Sequence, residues 1–519
     1  MLAEDQSAVV ELLASPATHG GAAVERIDTH SAIVFLAGSR AWKLKRAVRF
    51  DYLDFSTADR RKRICEAEVR LNRRTAPGLY RGVVPITSAG SGSLSIGGAG
   101  GAIDWVVEMA RFDQAFLLDR LAARGQLDVT MMPPLAKAIA DFHRDAEPRR
   151  DHGGAAGMRW VVDGNASGFA EHADVLDPAA SDRLTTLTRT AIDRHAALLD
   201  ARRDAGLVRQ CHGDLHLRNI VWLDGAPTLF DAVEFNDAIA CTDVLYDLAF
   251  LLMDLWRRQL PRHANAVWNG YLFHAVDLDG LVLMPLFLAC RAAVRAKTSA
   301  TAARVQSDRR QAEELRQLAN TYLALAEHFL HPPPPALIAV GGFSGSGKST
   351  VALALAPEIG AVPGAVVLRS DEIRKQLCGV PELERLGPEG YTADVSARVY
   401  ATMTDRSRRA IGNGHSAIAD AVFARAADRE AIERVAADAG APFVGVWLEA
   451  PPTTLIDRAQ HRLSDPSDAN AAVIRQQHTQ EIGTMPWQRI DAGRAVEEVL
   501  KNARSELAQA APARVRTTD

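Results

Sequence analysis

Cysteine is scarce in this 519-residue chain, and Cys65, Cys211, Cys241, Cys290 and Cys378 are odd in number, widely spaced and without a C-x-x-C pair. That pattern excludes a disulfide framework and a zinc site, and it leaves the five as small buried apolar residues. An excess of positive charge is missing as well. A net charge of -4 gives no electrostatic footprint for nucleic acid. The longest apolar run, Leu281 to Cys290, is too short to span a bilayer and is interrupted by Pro285. At the amino end, MLAEDQSAVVELL has acidic residues where a secretory leader is basic. The expectation is a cytoplasmic protein without nucleic-acid or membrane partners. Disordered tracts are lacking too, since 47% hydrophobic and 24% charged residues are values of a globular chain. The length exceeds one ordinary core and suits about three to four usual domains or two large modules.

What is present is a pair of unrelated phosphate signatures. The sharper is GFSGSGKS, where Gly342, Gly347, Lys348 and Ser349 fit G-x-x-x-x-G-K-[ST]. LIAVGG before it reads as a buried strand, and STVALALAPEIG after it reads as a helix ending at Gly360. Glycines 342, 345 and 347 let backbone N–H groups turn inward around phosphate oxygens, and the helix adds its positive end. Backbone groups from Gly342, Ser344, Gly345, Ser346, Gly347 and Thr350 are the expected cradle. Lys348 is expected to reach the β and γ phosphates, with Ser349 ligating Mg²⁺.

The clearest boundary is HPPPPA, His331 to Ala336, because consecutive prolines cannot continue the preceding helical pattern RRQAEELRQLANTYLALAEHFL. This predicts one module over 1–331, a proline linker over 332–336 and a second module over 337–519. The glycine-rich stretch Ser88 to Ala102 is expected to be a hairpin tip, since no helix start follows its glycines.

The other signature is HGDLHLRN, His212 to Asn219. Asp214 is followed five residues later by Asn219, then by a short strand IVWL, a turn at Asp224 and Gly225, a second strand PTLF, and Asp231. This is the order of a kinase catalytic loop and its metal-binding Asp. Asp214 is the candidate acceptor of the substrate's hydroxyl proton, and Asn219 and Asp231 are the candidate Mg²⁺ ligands. Cys211 lies beside this motif, but the phosphate-site residues around it argue against a nucleophile.

HGDLHLRN, FDAVEF and YDLAFLL resemble the aminoglycoside phosphotransferase and choline kinase branch of the protein-kinase-like fold over residues 25–330. The resemblance implies that AIVFLAGSRAWKLK carries a nucleotide-binding lysine and CEAEVRLNRR its glutamate partner. Lys43 and Lys45 lie two apart on one strand face, so spacing does not choose between them; Lys43 is favoured, and Glu68 over Glu66. The segment DWVVEMARFD resembles the connector between lobes, where backbone groups of Glu108 and Ala110 would bind adenine. One departure is the turn THS at 29–31, which lacks the glycine-rich loop of protein kinases.

Beyond the P-loop, AVVLRSD is expected to be a strand ending at Asp371 and SAIAD another ending at Asp420. Carboxylates at the ends of parallel strands point into the ligand crevice. Asp371 is the candidate base, Arg374 an anion partner, and Asp420 a Mg²⁺ ligand through water. Arg458 and Arg462 fall four apart on one helical face, as phosphate-clamping lid arginines do. This module resembles the P-loop kinases related to gluconate kinase, chloramphenicol phosphotransferase and the zeta-toxin group, with DAVF at Asp420 to Phe423 and a substrate-binding Arg429. The whole chain resembles bacterial proteins in which an aminoglycoside-phosphotransferase-like module is fused to an ATP-binding one.

The implied fold class is α/β and α+β, an N-terminal bilobal protein-kinase-like fold joined to a P-loop kinase with a parallel sheet flanked by helices. The implied activity is transfer of the γ-phosphoryl group of ATP, with Mg²⁺, to hydroxyls of small metabolites such as a sugar, amino sugar or amino alcohol. The alternatives are a regulatory nucleotide-binding module, or a toxin-like P-loop unit or ATPase controlled by its partner; a mechanical ATPase would more usually show an acidic pair after a long strand, and Ala421 follows Asp420.

Overall fold

The computed structural model describes residues 4–50, 53–89, 92–461 and 466–510. The chain forms two compact units, Met1–Gly164 with Ile192–Asp254, and Asn165–Ala191 with Leu255–Asp519.

The first unit is built on a six-stranded antiparallel sheet. From edge to edge its strands are Val24–Asp28, Ala32–Ala37, Arg40–Lys45, Gly101–Ala110, Tyr80–Ser88 and Leu94–Ile96. Side chains alternate between faces with period two. Ile33, Phe35, Trp42, Leu44, Ile86 and Val106 bury on one face with Val9 and Leu13 of helix Ser7–Ala14. Leu36, Ala41, Val107 and Met109 bury on the other with Cys65 and Val69 of helix Ala58–Asn72. Each Val, Leu, Ile, Phe or Met among them contributes about 1.5 to 3 kcal/mol. The alternation puts Lys43 and Lys45 on the face of Ala41, under the helix that carries Glu68. That helix begins where Thr57 caps the Arg60 N–H and Asp59 sits in the first turn. The glycine-rich stretch carries the short strand Leu94–Ile96, which pairs back on Ile86–Ser88, with residues 90–91 outside the described set.

Downstream, strands Ile220–Leu223 and Ala226–Leu229 make a hairpin in which Leu223 pairs with Ala226. Asp224 and Gly225 form its turn with φ of 50° and 79°. Two positive φ values are what a two-residue hairpin turn requires.

The second unit centres on a five-stranded parallel sheet in the order Val366–Arg369, Ala417–Asp420, Leu337–Gly342, Phe443–Glu449 and Gln488–Asp491. Its core joins Ile338, Val340, Ile418 and Val446 to Val351 and Leu355 of helix Lys348–Leu355 and to Val499 and Ala503 of helix Val496–Ala510. The helix after the P-loop ends at Leu355, short of the expected Gly360, and continues as a 3₁₀ turn over Ala356–Glu358. Pro357 ends it, because proline has no N–H to donate and its ring crowds the preceding turn. Asp371 is likewise not a strand terminus: the strand stops at Arg369, and Asp371 lies in the first turn of helix Ser370–Cys378.

The proline run has no regular structure, and Pro332, Pro333 and Pro334 are exposed. Helices on its amino-terminal side belong to the same compact unit as the parallel sheet. The physical link is the border strand Val366–Arg369. Val367 N–H donates to Asn269 Oδ1 at 2.7 Å, and the Ala365 carbonyl accepts from Asn265 and Asn269 at 3.1 and 3.2 Å. Both asparagines lie on helix Pro261–Ala275, four residues apart and so on one face.

All five cysteines are free thiols. Among the described residues no helix is long and apolar enough to cross a membrane.

Candidate active sites

In the first unit, charge is concentrated under the lysine strand. Lys43 Nζ donates to Glu68 Oε1 at 2.7 Å and also reaches Asp231. Lys45 Nζ lies 2.6 Å from Glu68 Oε2 and 2.5 Å from Glu234 Oε1. One glutamate thus takes a lysine on each oxygen, and Lys43 is the lysine that also meets Asp231. Glu66 sits on the exposed side of the helix, 4.0 Å from Lys62. Burial opposes the charge on Lys43, yet Asp231 and Glu68 outweigh it and hold the ammonium well above its ordinary range. Burial pushes Glu68 and Asp231 up, and the lysines more than reverse this, leaving both lowered. At Glu234 burial wins over Lys45, and that carboxyl is raised.

The loop HGDLHLRN is held from behind by buried carboxylates. Asp247 accepts from His212 N–H at 3.1 Å and Gly213 N–H at 2.8 Å, and its Oδ2 lies 3.1 Å from His143 Nε2. Asp254 accepts from Leu217 N–H at 3.2 Å. Gly213 has φ of 81°, and a Cβ there would come 3.1 Å from the Val233 side chain, so a glycine fits both the backbone and the space. Asn219 Nδ2 donates to the Asp214 carbonyl at 2.9 Å and its carboxylate at 3.0 Å. The amide oxygen of Asn219 is then the group left to meet a cation. Asp231 adopts φ of 63°, its N–H donating to the Tyr80 hydroxyl at 3.1 Å. Cys211 is buried, which holds its thiol well above the ordinary value, and it bonds the Thr242 carbonyl at 3.4 Å.

The connector differs from expectation. Ala110 N–H donates to the Leu79 carbonyl at 2.8 Å, and Glu108 is paired on both sides within the sheet. A backbone already in a ladder is not free to bind a base. The Glu108 side chain instead pairs with Arg40 at 3.2 Å and Arg81 at 3.5 Å. Beyond Ala110, at Arg111, an open cleft of about 590 Å³ is lined by Glu25, Gly38, Ser39, Arg111, Phe112 and Asp113 among others.

In the second unit, Gly342, Gly345 and Gly347 have φ of 137°, 85° and 88°. A Cβ on Gly345 would come 2.4 Å from the Leu455 carbonyl, and one on Gly342 would come 2.5 Å from the Leu448 carbonyl, so the loop tolerates only glycine at both places. Lys348 and Ser349 open the helix, and Thr350 is exposed on its first turn. Lys348 Nζ folds back to the Phe343 carbonyl at 3.3 Å. Ser346 Oγ is buried and makes no hydrogen bond among the described residues. Ser349 Oγ donates to Asp420 Oδ2 at 2.6 Å. Burial raises the Asp420 carboxyl, with Lys348 and Arg369 opposing in part. Arg369 bridges onward, 3.5 Å from Asp420 and 2.8 Å from Glu372, whose carboxyl burial pushes up to about 7.

Asp371 is half-buried beside this network. Arg374 Nη1 donates to the Gly390 carbonyl at 2.7 Å, and the guanidinium lies over the Tyr391 ring at 4.7 Å. Arg458 donates to the Ala492 carbonyl at 2.8 Å, and Arg462 lies outside the described residues. Arg429 is corrected outright. It is buried, and it donates to the carbonyls of Phe423, Ala424, Ile482 and Thr484 at 2.8, 2.8, 2.8 and 3.0 Å, so it braces the backbone and has no free face for a substrate.

Sequence reasoning gave no role to Glu234, Asp247, Asp254, His143 or Gln477. The acids in VLYDLAFLLMDLW carried a usable signal, since a carboxylate inside an apolar helix must find donors. The candidate metal donor sets, Ser349 with Asp420 and Asn219 with Asp231, consist of oxygens, which fits Mg²⁺.

Residues 337–480 match a family model described as an AAA domain. An uncharacterized protein of Mycobacterium tuberculosis is 30% identical over 459 residues, covering 86% of this chain and 88% of that protein. Among solved structures, a choline/ethanolamine kinase family protein from Mesorhizobium loti is 13% identical, with a TM-score of 0.38, over 62% of this chain and 93% of its own. A gluconokinase from Sinorhizobium meliloti is 22% identical, with a TM-score of 0.26, over 34% of this chain and 93% of its own.

Proposed function

We propose that this chain, which belongs to the same family as the Mycobacterium tuberculosis protein, is an ATP-dependent phosphotransferase with two kinase modules acting on hydroxyls of small metabolites. The observation that carries the reading is the P-loop centre. A backbone cradle, Lys348, and a Ser349 hydroxyl 2.6 Å from a strand-end carboxylate converge there.

In this module Lys348 neutralises charge on the terminal phosphates, and Asp371 aligns the acceptor hydroxyl. The acceptor oxygen forms its bond to phosphorus as the bond to the bridging oxygen breaks; the hydroxyl proton passes to the carboxylate and ADP leaves. In the other module Asp214, held by Asn219, takes the same part, and Lys43 moves from Asp231 to the phosphates. Mg²⁺, held by Ser349 and Asp420 or by Asn219 and Asp231, would supply further charge neutralisation to the nucleotide. Positioning and charge compensation supply most of the rate in such reactions.

The test is ATP turnover against sugars, aminoglycosides, amino alcohols and nucleosides for wild type, Lys348→Ala and Asp214→Asn. Each variant is expected to lose roughly 100-fold of the turnover supported by its own module. Loss in Lys348→Ala alone would reduce the first module to a regulatory role, and no loss in either would sink the kinase reading.

A further inference from the structure

The phosphate loop makes one contact that the reading above does not use. Ser344 N–H donates to Gln477 Oε1 at 2.9 Å, and Gln477 Nε2 reaches Ser344 Oγ at 3.2 Å. The next residue, His478, packs its ring on Phe343 with centroids 4.8 Å apart. Gln477 and His478 end the helix Ala471–His478, which Asn470 caps by accepting from Ala472 and Val473 N–H at 3.0 and 3.1 Å. Two residues before that cap, Asp468 accepts from Lys375 at 3.0 Å, Leu386 N–H at 3.1 Å and the Tyr391 hydroxyl at 2.7 Å. A single segment therefore touches the phosphate loop at one end and, at the other, the residues that flank Arg374 and Asp371.

Ser344 is the third residue of the loop, and its N–H is one of the inward donors such a loop offers to an anion. That hydrogen cannot serve the glutamine and a phosphate oxygen at once. A carboxamide has two chemically different ends, an oxygen that accepts and an NH₂ that donates. A backbone N–H calls for the oxygen, whereas a phosphate calls for the nitrogen. Glutamine is the residue of this length that can answer both by turning its last torsion.

We infer that Gln477 is a γ-phosphate contact of the P-loop site, an inference that rests on reading this site as ATP-using. The γ-phosphoryl oxygen takes the Ser344 N–H, Gln477 rotates, and its Nε2 donates to the transferring group. ADP lacks that group and leaves the Ser344 to Gln477 pair in place. Gln477 is thus the residue by which this site distinguishes triphosphate from diphosphate. Through Asp468 it ties that recognition to the acceptor side.

The experiment is calorimetric titration of the full chain with ADP and with a non-hydrolysable ATP analogue, in Mg²⁺. The component lost in Lys348→Ala reports the P-loop site. Gln477→Glu keeps the length and the acceptor for Ser344 N–H but sets a carboxylate against the phosphate. Gln477→Leu keeps bulk and removes both polar ends. Both variants are expected to weaken the analogue about tenfold or more, the worth of a hydrogen bond to a charged group, while leaving ADP within about twofold. Equal weakening of both nucleotides would show a structural role and overturn the inference, as would no change in either. If Lys348→Ala removes no nucleotide binding, the P-loop reading itself fails and takes the inference with it. Circular dichroism and thermal melts of each variant separate these outcomes from misfolding.

Discussion

Glu372 and His415 titrate in opposite senses inside one compact unit. Burial raises the Glu372 carboxyl from 4.5 to about 7, Arg369 offsetting it in part, and burial lowers the His415 imidazole from 6.5 to about 4. Between those Glu372 values the folded chain keeps a proton that the unfolded chain has released, so its contribution to stability falls as pH rises through the window. For His415 the unfolded chain takes up a proton that the folded chain refuses, so stability falls as pH drops from 6.5 toward 4. The two oppose each other between pH 4.5 and 6.5. Glu372→Gln is therefore expected to gain stability steadily from pH 4.5 to 6.5, and His415→Leu to lose it from pH 4.5 toward 7. Urea midpoints at half-unit pH steps measure this, and a wild-type slope in both variants would refute the assignment. Asp214 with Asn219, and Gly342 with Lys348 and Ser349, are candidates legible in the sequence because each set falls within a few residues, and Asp231 follows after a single hairpin. Glu234, Asp247 and Gln477 are not, because each acts on a partner that only the folded chain brings near.

Arg429 shows the same limit for an element. On helix Ala426–Asp438 it ties the loop after strand Ala417–Asp420 to the segment before strand Gln488–Asp491, through four backbone carbonyls. Sequence marks an arginine downstream of DAVF but not whether its donors are already taken. Arg429→Lys has fewer donors in a different geometry and leaves buried carbonyls without partners, which costs about 2 to 3 kcal/mol. Chemical denaturation is expected to show that loss, with the acceptor KM unchanged. Unchanged stability with a raised KM would return Arg429 to the substrate site. Elements bounded by strong local signals were legible: the P-loop strand, the Asp224 and Gly225 hairpin turn, and the helix Arg309–Phe329. That the Ala110 N–H is already taken was not legible, because its partner is Leu79, a residue 31 positions away.

For the molecule as a whole, the proline run was the most visible boundary in the sequence, yet helices on both sides of it share a compact unit. Composition detects where a chain cannot be helical; it does not detect two asparagines satisfying the border of a sheet built about 100 residues later. A fragment beginning at Ala336 lacks Asn265 and Asn269, leaving Val367 N–H and the Ala365 carbonyl open on a bare strand. Such an edge invites pairing between copies. The fragment is expected to self-associate on size-exclusion chromatography and to exchange the Val367 amide rapidly, whereas the full chain protects it. A monodisperse fragment with a protected Val367 amide would count against the border contact.

Synthesis runs from the amino end, so helix Pro261–Ala275 has left the ribosome before Val366–Arg369 is translated. Its two asparagines await the strand as it emerges. During its own birth, then, the Val366–Arg369 border of the parallel sheet need never stand open, and the order of helix and strand along the gene is itself a safeguard against misassembly at that border.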